Sequence, residues 1–163
     1  MSTRSIIAVY TDKTAGKWRG TYHHSDGYPS GVGKSLWDIY HKYYPGFLSA
    51  MLEFIIDAHP EGWSTLVDTD FSQRPTWSEP DERYRMYQEN ISLPSQAYKY
   101  RGETPNILDE TSDSWQEWAY VFDVQANSMT ILERLGFGSD VRYAHKATIP
   151  LDGMEPDWES FEK

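Results

Sequence analysis

Cysteine is absent from this chain of 163 residues, and so are long hydrophobic runs. Without cysteine, the chain has no disulfides, no thiolate metal ligands and no cysteine nucleophile. Apolar stretches such as Ile6–Tyr10 and Phe54–Ile56 are far too short for a membrane-spanning helix, which needs about 20 apolar residues. The residues after Met1 lack the basic and then apolar pattern of a secretory signal, so we expect a cytoplasmic protein without membrane contact.

Positive charge is scarce, because 15 Lys and Arg stand against 25 Asp and Glu, a net charge of −10. Residues 1–50 hold six basic and three acidic residues (+3), whereas residues 51–163 hold nine basic and 22 acidic residues (−13). Such a balance argues against direct nucleic-acid binding. A small anion would find its partners in the first segment, and a basic protein would find a partner surface in the second.

Aromatic residues are abundant, with seven Trp, twelve Tyr and six Phe. They provide enough apolar area for one core, and we expect some of the rings to remain exposed. Exposed aromatic rings favour a partner surface, so we predict a homo-oligomer.

The hydrophobic spacing changes from strand to helix within the first sixty residues. β-branched and aromatic residues at 4–11 and 17–24, with turn residues between them, predict an antiparallel hairpin. A 3.6-residue spacing then predicts a helix over 32–43, with Ser30 as its N-cap. A second helix is predicted to end at His59-Pro60, since a residue before proline disfavours helical backbone.

The second half of the chain predicts more strands. Alternating residues at 118–124 and a return at 129–132 predict a second hairpin. Weaker patterns predict three further elements: a helix at 80–90 and strands at 96–101 and 146–151. We therefore predict an α+β fold, an antiparallel sheet of four to six strands with two helices on one face. It forms a single domain over residues 1–154, followed by an acidic tail, residues 155–163.

The most informative segment, residues 23–35 (HHSDGYPSGVGKS), joins a predicted strand to a predicted helix. Unpaired N–H groups at a helix start favour a phosphate or carboxylate, and Lys34 adds a positive charge. A P-loop is excluded because Tyr28 stands where that motif requires glycine. The same residues also form ordinary turns, so the loop could serve only to redirect the chain. The candidate ligand-binding residues are Arg4, Arg19, Asp26, Tyr28, Ser30, Gly31, Gly33, Lys34 and Ser35.

The pair His23-His24, with Asp26, is the candidate for acid–base chemistry. Adjacent residues of a strand point to opposite faces, so the two imidazoles do not favour a shared metal. No metal and no cofactor are therefore expected. Tyr28, held by the following proline, is the best candidate for stacking on a base.

The segments Thr3-Arg4-Ser5-Ile6 and Asp26-Gly-Tyr-Pro-Ser-Gly-Val-Gly33 resemble those of a group of small phage and bacterial proteins. The resemblance covers about the first 40 residues, and the hairpin at 118–132 is similar in style. The group has no settled activity, so no catalytic residue is carried over. The resemblance implies a phage or prophage setting, and hence the host cytoplasm, where small acidic proteins counter host defence.

Three functions remain open from the sequence. The first is a binding protein that sequesters a phosphorylated nucleotide signal and needs no catalytic pair. The second is an enzyme that cleaves such a nucleotide with His23 or His24 as acid–base and Asp26 as its orienting partner. The third is an acidic interaction protein that mimics nucleic acid and inhibits a host defence protein. We expect the first, a binding protein rather than an enzyme.

Overall fold

The structure is a computed structural model, and it describes residues 2–67, 69, 71, 97–98 and 103–163. The predicted helix at 80–90 lies outside the described residues, and so does most of the predicted strand at 96–101.

Six strands form one sheet within this described part, in the order β3-β2-β1-β4-β5-β6. Their bounds are β1 Ser5–Asp12, β2 Lys17–His23, β3 Leu108–Asp109, β4 Trp118–Asp123, β5 Ser128–Arg134 and β6 Tyr143–Pro150. Both predicted hairpins are confirmed, because β1 pairs antiparallel with β2 and β4 pairs antiparallel with β5. The last predicted strand is also present as β6, antiparallel to β5.

The centre of the sheet is parallel, so the prediction of a purely antiparallel sheet is wrong. β1 pairs parallel with β4, from Ser5 opposite Trp118 to Val9 opposite Phe122. Local sequence patterns identify strands and tight turns, but this pairing joins segments more than a hundred residues apart. No local sequence pattern specifies the direction of β4. That direction depends on the end of the sheet from which the chain returns. The α+β class itself is confirmed.

Both predicted helices are present, and each includes a π-helical turn. α1 (Lys34–Tyr43) follows directly from a π-helical turn at Pro29–Gly33. α2 (Leu48–Leu52) continues into a second such turn at Glu53–Asp57, which ends before His59-Pro60 as predicted. No described helix is long and apolar enough to cross a membrane.

The prediction of Ser30 as an N-cap is wrong. The helical run begins at Pro29, two residues earlier than a Ser30 cap predicts, and Tyr28 precedes it without a side-chain cap. Proline is well suited to a first helical position, since its fixed φ matches the helix and its missing N–H would have no partner there. Ser30 therefore lies inside the first turn.

The helices cover one face of the sheet and bury the main core. Their apolar residues pack against strand side chains that include Ile7, Tyr120, Phe122 and Ile131. The opposite face carries a second buried cluster of Ile6, Ala8, Trp18, Leu108, Ala119 and Val121. Alternation along β1 accounts for this division, because successive side chains point to opposite faces.

The acidic segment 155–163 packs against the domain. It contains a 3₁₀ helix, Trp158–Glu162, and Trp158 is only 5% exposed. The Trp158 ring meets Trp37 edge-on, with ring centroids 6.1 Å apart. A Cβ at Gly33 would lie 3.1 Å from the same ring, so the absence of a side chain there allows the close approach.

We expect Trp158→Ala to lower the free energy of unfolding by about 3–5 kcal/mol, because it leaves a cavity between α1 and the 3₁₀ helix. Denaturant unfolding measures the change. Met154→Ala is the control, since Met154 is 92% exposed and its loss should change stability by less than about 0.5 kcal/mol. Equal stability of the Trp158→Ala variant and the wild type would contradict the packing described here.

Candidate functional site

The loop after β2 and the first turns of the α1 run enclose an open cleft of about 300 Å³. Most of the predicted site residues line it. The described residues that line it are His23, Ser25, Asp26, Tyr28, Ser30, Gly31, Val32, Lys34, Ser35, Asp38 and Val67.

Backbone hydrogen bonds fix the shape of the loop. The Gly27 N–H donates to the Thr3 carbonyl at 2.8 Å, and the Gly27 carbonyl accepts from the buried Tyr120 hydroxyl at 2.5 Å. Asp26 adopts a left-handed backbone (φ 53°), and its carbonyl accepts from the Val32 N–H at 2.9 Å. A side chain at Gly31 would collide with that carbonyl. The loop is therefore tied to the segment just before β1 and to the core.

An anion already occupies the position that the sequence predicts for a ligand. The Ser30 N–H, in the first turn of the helical run, donates to the Glu162 carboxylate at 2.7 Å. A first-turn N–H has no partner within its helix, and the helix dipole favours negative charge there. Sequence reasoning missed Glu162 because it lies more than a hundred residues away. The apolar side chains of Trp158 and Phe161 within the acidic segment are the signal that could have predicted its packing against the domain.

Lys34 is charged and held by two carboxylates. Its Nζ lies 3.2 Å from Asp38 Oδ2 and 3.2 Å from Glu155 Oε1. These two hydrogen bonds raise the pKa of Lys34. The pKa of Glu155 is lowered, first by a hydrogen bond from the Trp158 indole and then by Lys34.

The cleft is acidic rather than basic. Of the residues that the structure describes, Asp26 and Asp38 line it together with one cation, Lys34. Glu155 and Glu162, from the acidic segment 155–163, place two further carboxylates against the lining residues Lys34 and Ser30. The positive balance of residues 1–50 is therefore offset in space by acids from the end of the described chain.

His23 is a neutral hydrogen-bond acceptor, held in place at the edge of the cleft. Its Nε2 accepts from the Leu66 N–H at 3.0 Å, so the ring proton belongs on Nδ1. Nδ1 is buried and has no hydrogen-bond partner in the described part of the chain. Burial, and next the neighbouring His24, lower the pKa of His23 to about 3, although the Ser25 backbone opposes the shift. This environment disfavours acid–base chemistry at neutral pH.

The remaining candidates lie outside the cleft. Arg19 binds Asp57 through two hydrogen bonds of 3.0 and 3.1 Å, and it lies about 13 Å from His23 along β2. His24 Nδ1 instead hydrogen-bonds the Tyr22 hydroxyl at 2.8 Å. The charge of Arg4 acts on the same Tyr22, where it opposes the burial that raises the Tyr22 pKa. Gly33 is buried against Trp158.

The three candidate acid–base residues do not converge on one point. His23 contacts a backbone amide, His24 bonds Tyr22, and Asp26 accepts from the Tyr28 hydroxyl at 3.3 Å. The Asp26 charge is also the main reason that the pKa of Tyr28 is raised. Among the described residues, no group of three or more His, Asp or Glu side chains is arranged to hold a metal ion.

We expect His23 to make folding stability fall as the pH decreases from about 6.5 towards 3. Its folded-state pKa is about 3 against an ordinary 6.5, so in this window the unfolded chain binds a proton that the folded chain rejects. His23→Gln keeps an acceptor for the Leu66 N–H but cannot titrate. Its free energy of unfolding should decline less steeply, by on the order of 1 kcal/mol per pH unit.

Denaturant unfolding at several pH values between 7 and 4 measures this difference. His145→Gln, at an exposed histidine of β6, is the matched control and should leave the wild-type pH dependence in place. Identical pH dependence in His23→Gln and the wild type would contradict the burial of a neutral His23.

No protein-family model, curated protein or solved structure matches the chain.

Proposed function

We propose that the protein binds and sequesters a small phosphorylated nucleotide-type ligand in this cleft and does not cleave it. The observation that carries the proposal is the carboxylate of Glu162 on the Ser30 N–H, at 2.7 Å. In that contact an anion is held at the start of a helical run. The Lys34 ammonium lines the same cleft as Ser30. The volume of about 300 Å³ is at the lower end of the range of small-molecule pockets.

Each chemical group of such a ligand has a complementary residue. A phosphate would replace the Glu162 carboxylate as the acceptor of the Ser30 N–H. It would also replace Glu155 as an ion-pair partner of the Lys34 ammonium. Tyr28, which is 36% exposed, offers a ring face to a base. Asp26 and Asp38 offer acceptors to the hydroxyl groups of a ribose.

Binding in this cleft is an exchange of anions. The ion pairs of Lys34 are half-exposed, with 49% of its side chain accessible, and such pairs contribute about 0–1 kcal/mol each. A phosphate carries more charge than the carboxylate it replaces and accepts more hydrogen bonds. The internal carboxylates therefore weaken ligand binding without preventing it.

Sequestration is favoured over cleavage by the state of the histidines. His23 is neutral and bonded to a backbone amide, and His24 is bonded to Tyr22 outside the cleft. Neither histidine is arranged to transfer a proton to a ligand bound at the Ser30 N–H. The resemblance to phage proteins implies a setting in which sequestering such a nucleotide would counter host defence.

We expect Lys34→Ala to weaken nucleotide binding by about ten- to a hundredfold, because it removes a charge-assisted contact of about 1.5–3 kcal/mol. Glu162→Gln should act in the opposite direction and strengthen binding several-fold, because it removes the charge of the internal competitor. Calorimetric titration against mononucleotides, cyclic dinucleotides and ADP-ribose measures both effects.

Lys42→Ala is the matched control, since Lys42 lies on the same helix but outside the cleft; its affinity should equal that of the wild type. Recovery of the intact nucleotide after denaturation distinguishes sequestration from cleavage. Unchanged affinity in Lys34→Ala, for a nucleotide that the wild type binds, would exclude the cleft as the phosphate site.

A further inference from the structure

A second cleft, of about 330 Å³, lies where β4 begins and β5 ends. It is lined by Trp115, Gln116, Glu117, Trp118, Glu133, Arg134 and Phe137. The rings of Trp115 and Phe137 are 71% and 73% exposed. Large aromatic rings that share one exposed surface indicate an interaction site, whereas isolated exposed apolar residues are ordinary.

The exposure of Trp115 is imposed by its surroundings. Its backbone is left-handed (φ 61°), a conformation that is unfavourable for a bulky side chain. Its N–H donates to Asp113 Oδ1 at 3.2 Å, and the neighbouring Ser114 N–H donates to Gln116 Oε1 at 2.7 Å. The Gln116 amide in turn donates to the Tyr143 hydroxyl at 2.7 Å. These bonds hold a strained turn that presents the indole to solvent, and such strain is concentrated at functional positions.

Arg134 provides a buried donor beside the rings. Its side chain is only 3% exposed, and its guanidinium lies 2.7 Å from the Asp113 carboxylate. The guanidinium carbon lies 4.9 Å from the Phe137 ring centroid. Nη2 of Arg134 is buried and has no hydrogen-bond partner among the residues that the structure describes. Asp113 balances the charge of Arg134, so the unmet requirement is a neutral acceptor such as a carbonyl oxygen.

The remaining charge of the second cleft is negative. Glu133 is paired with Lys146 at 3.2 Å. The Glu117 carboxylate has no ion pair with any described residue, and it lies in the part of the chain where 22 acidic residues outnumber nine basic ones. An aromatic face beside an unpaired carboxylate is complementary to an ammonium or guanidinium group.

We propose that the second cleft docks a basic segment of a partner polypeptide. A Lys or Arg side chain of that segment lies against the Trp115 indole and the Glu117 carboxylate. A backbone carbonyl of the same segment accepts from Arg134 Nη2. This interaction is separate from nucleotide binding and requires neither Lys34 nor Glu162.

Short capped peptides of equal length test the proposal: one with alternating Gly and Lys, one with Gly and Gln, and one with Gly and Glu. Titration of the protein with each peptide at low salt, followed by NMR, measures affinity and reports on the Trp115 indole N–H. We expect saturable binding of the Lys peptide only, with the indole shifted and the affinity reduced by added salt.

Trp115→Gly is the decisive variant, because glycine accepts the left-handed backbone and removes only the ring. We expect stability equal to or above that of the wild type and an affinity for the Lys peptide reduced about tenfold. Phe47→Ala is the matched control, since Phe47 is 69% exposed and lies outside the second cleft. It should change the affinity less than twofold.

Three results would overturn the proposal. The first is equal affinity of the Lys peptide for Trp115→Gly and for the wild type. The second is binding of the Glu peptide at least as strong as that of the Lys peptide, which would assign the cleft to an anion on Arg134. The third is a wild-type dimer in sedimentation that Trp115→Gly converts to a monomer, which would assign the surface to a second copy of the chain.

Discussion

The parallel pairing of β1 with β4 determines where the clefts lie. Because these two strands run in the same direction, both begin at one end of the sheet. Their antiparallel partners β2 and β5 end there, with Ser5 opposite His23 and Trp118 opposite Glu133. The Glu117 N–H extends this ladder by donating to the Arg4 carbonyl at 2.9 Å. The loop after β2 and the turn before β4 therefore open at the same end, each with one of the two clefts.

Carboxylates of the chain itself contact the cationic and N–H groups that could otherwise hold an anion. Glu162 meets a first-turn N–H, Glu155 and Asp38 meet Lys34, and Asp113 meets Arg134. Each contact gives a buried or half-buried polar group a partner in the absence of a ligand. For the proposed function, this means that ligand affinity in the first cleft would depend on competition within the molecule as much as on contacts with the ligand.

Local patterns in the sequence were sufficient for the hairpins and helices. The alternation in β1 and β4 and the turn residues at 12–16 and 125–128 act over a few neighbours, so one sequence reveals them. One sequence does not reveal the long-range features. These are the direction of β4, the packing of Trp158 on Gly33, and the hydrogen bond between the Glu162 carboxylate and the Ser30 N–H. The π-helical turn at Pro29–Gly33 also escaped prediction, because its apolar spacing is close to that of an α-helix. The loop residues Asp26, Tyr28, Ser30 and Lys34 do share one cleft, since they are neighbours in sequence. Arg4, just before β1, and Arg19, within β2, lie outside that cleft.

The other end of the sheet consists of tight turns that bond to one another. Asp12 and Asp123 each accept a backbone N–H three residues ahead, and Lys13 joins the two turns through Asp123 at 2.9 Å. The exposed Thr14 lies in the first of these turns, about 25 Å along the strands from the end where both clefts open. Since the chain has no cysteine, a single Thr14→Cys substitution would give a unique thiol at a tolerant loop tip. A dye or surface tether attached there would leave both clefts facing solution.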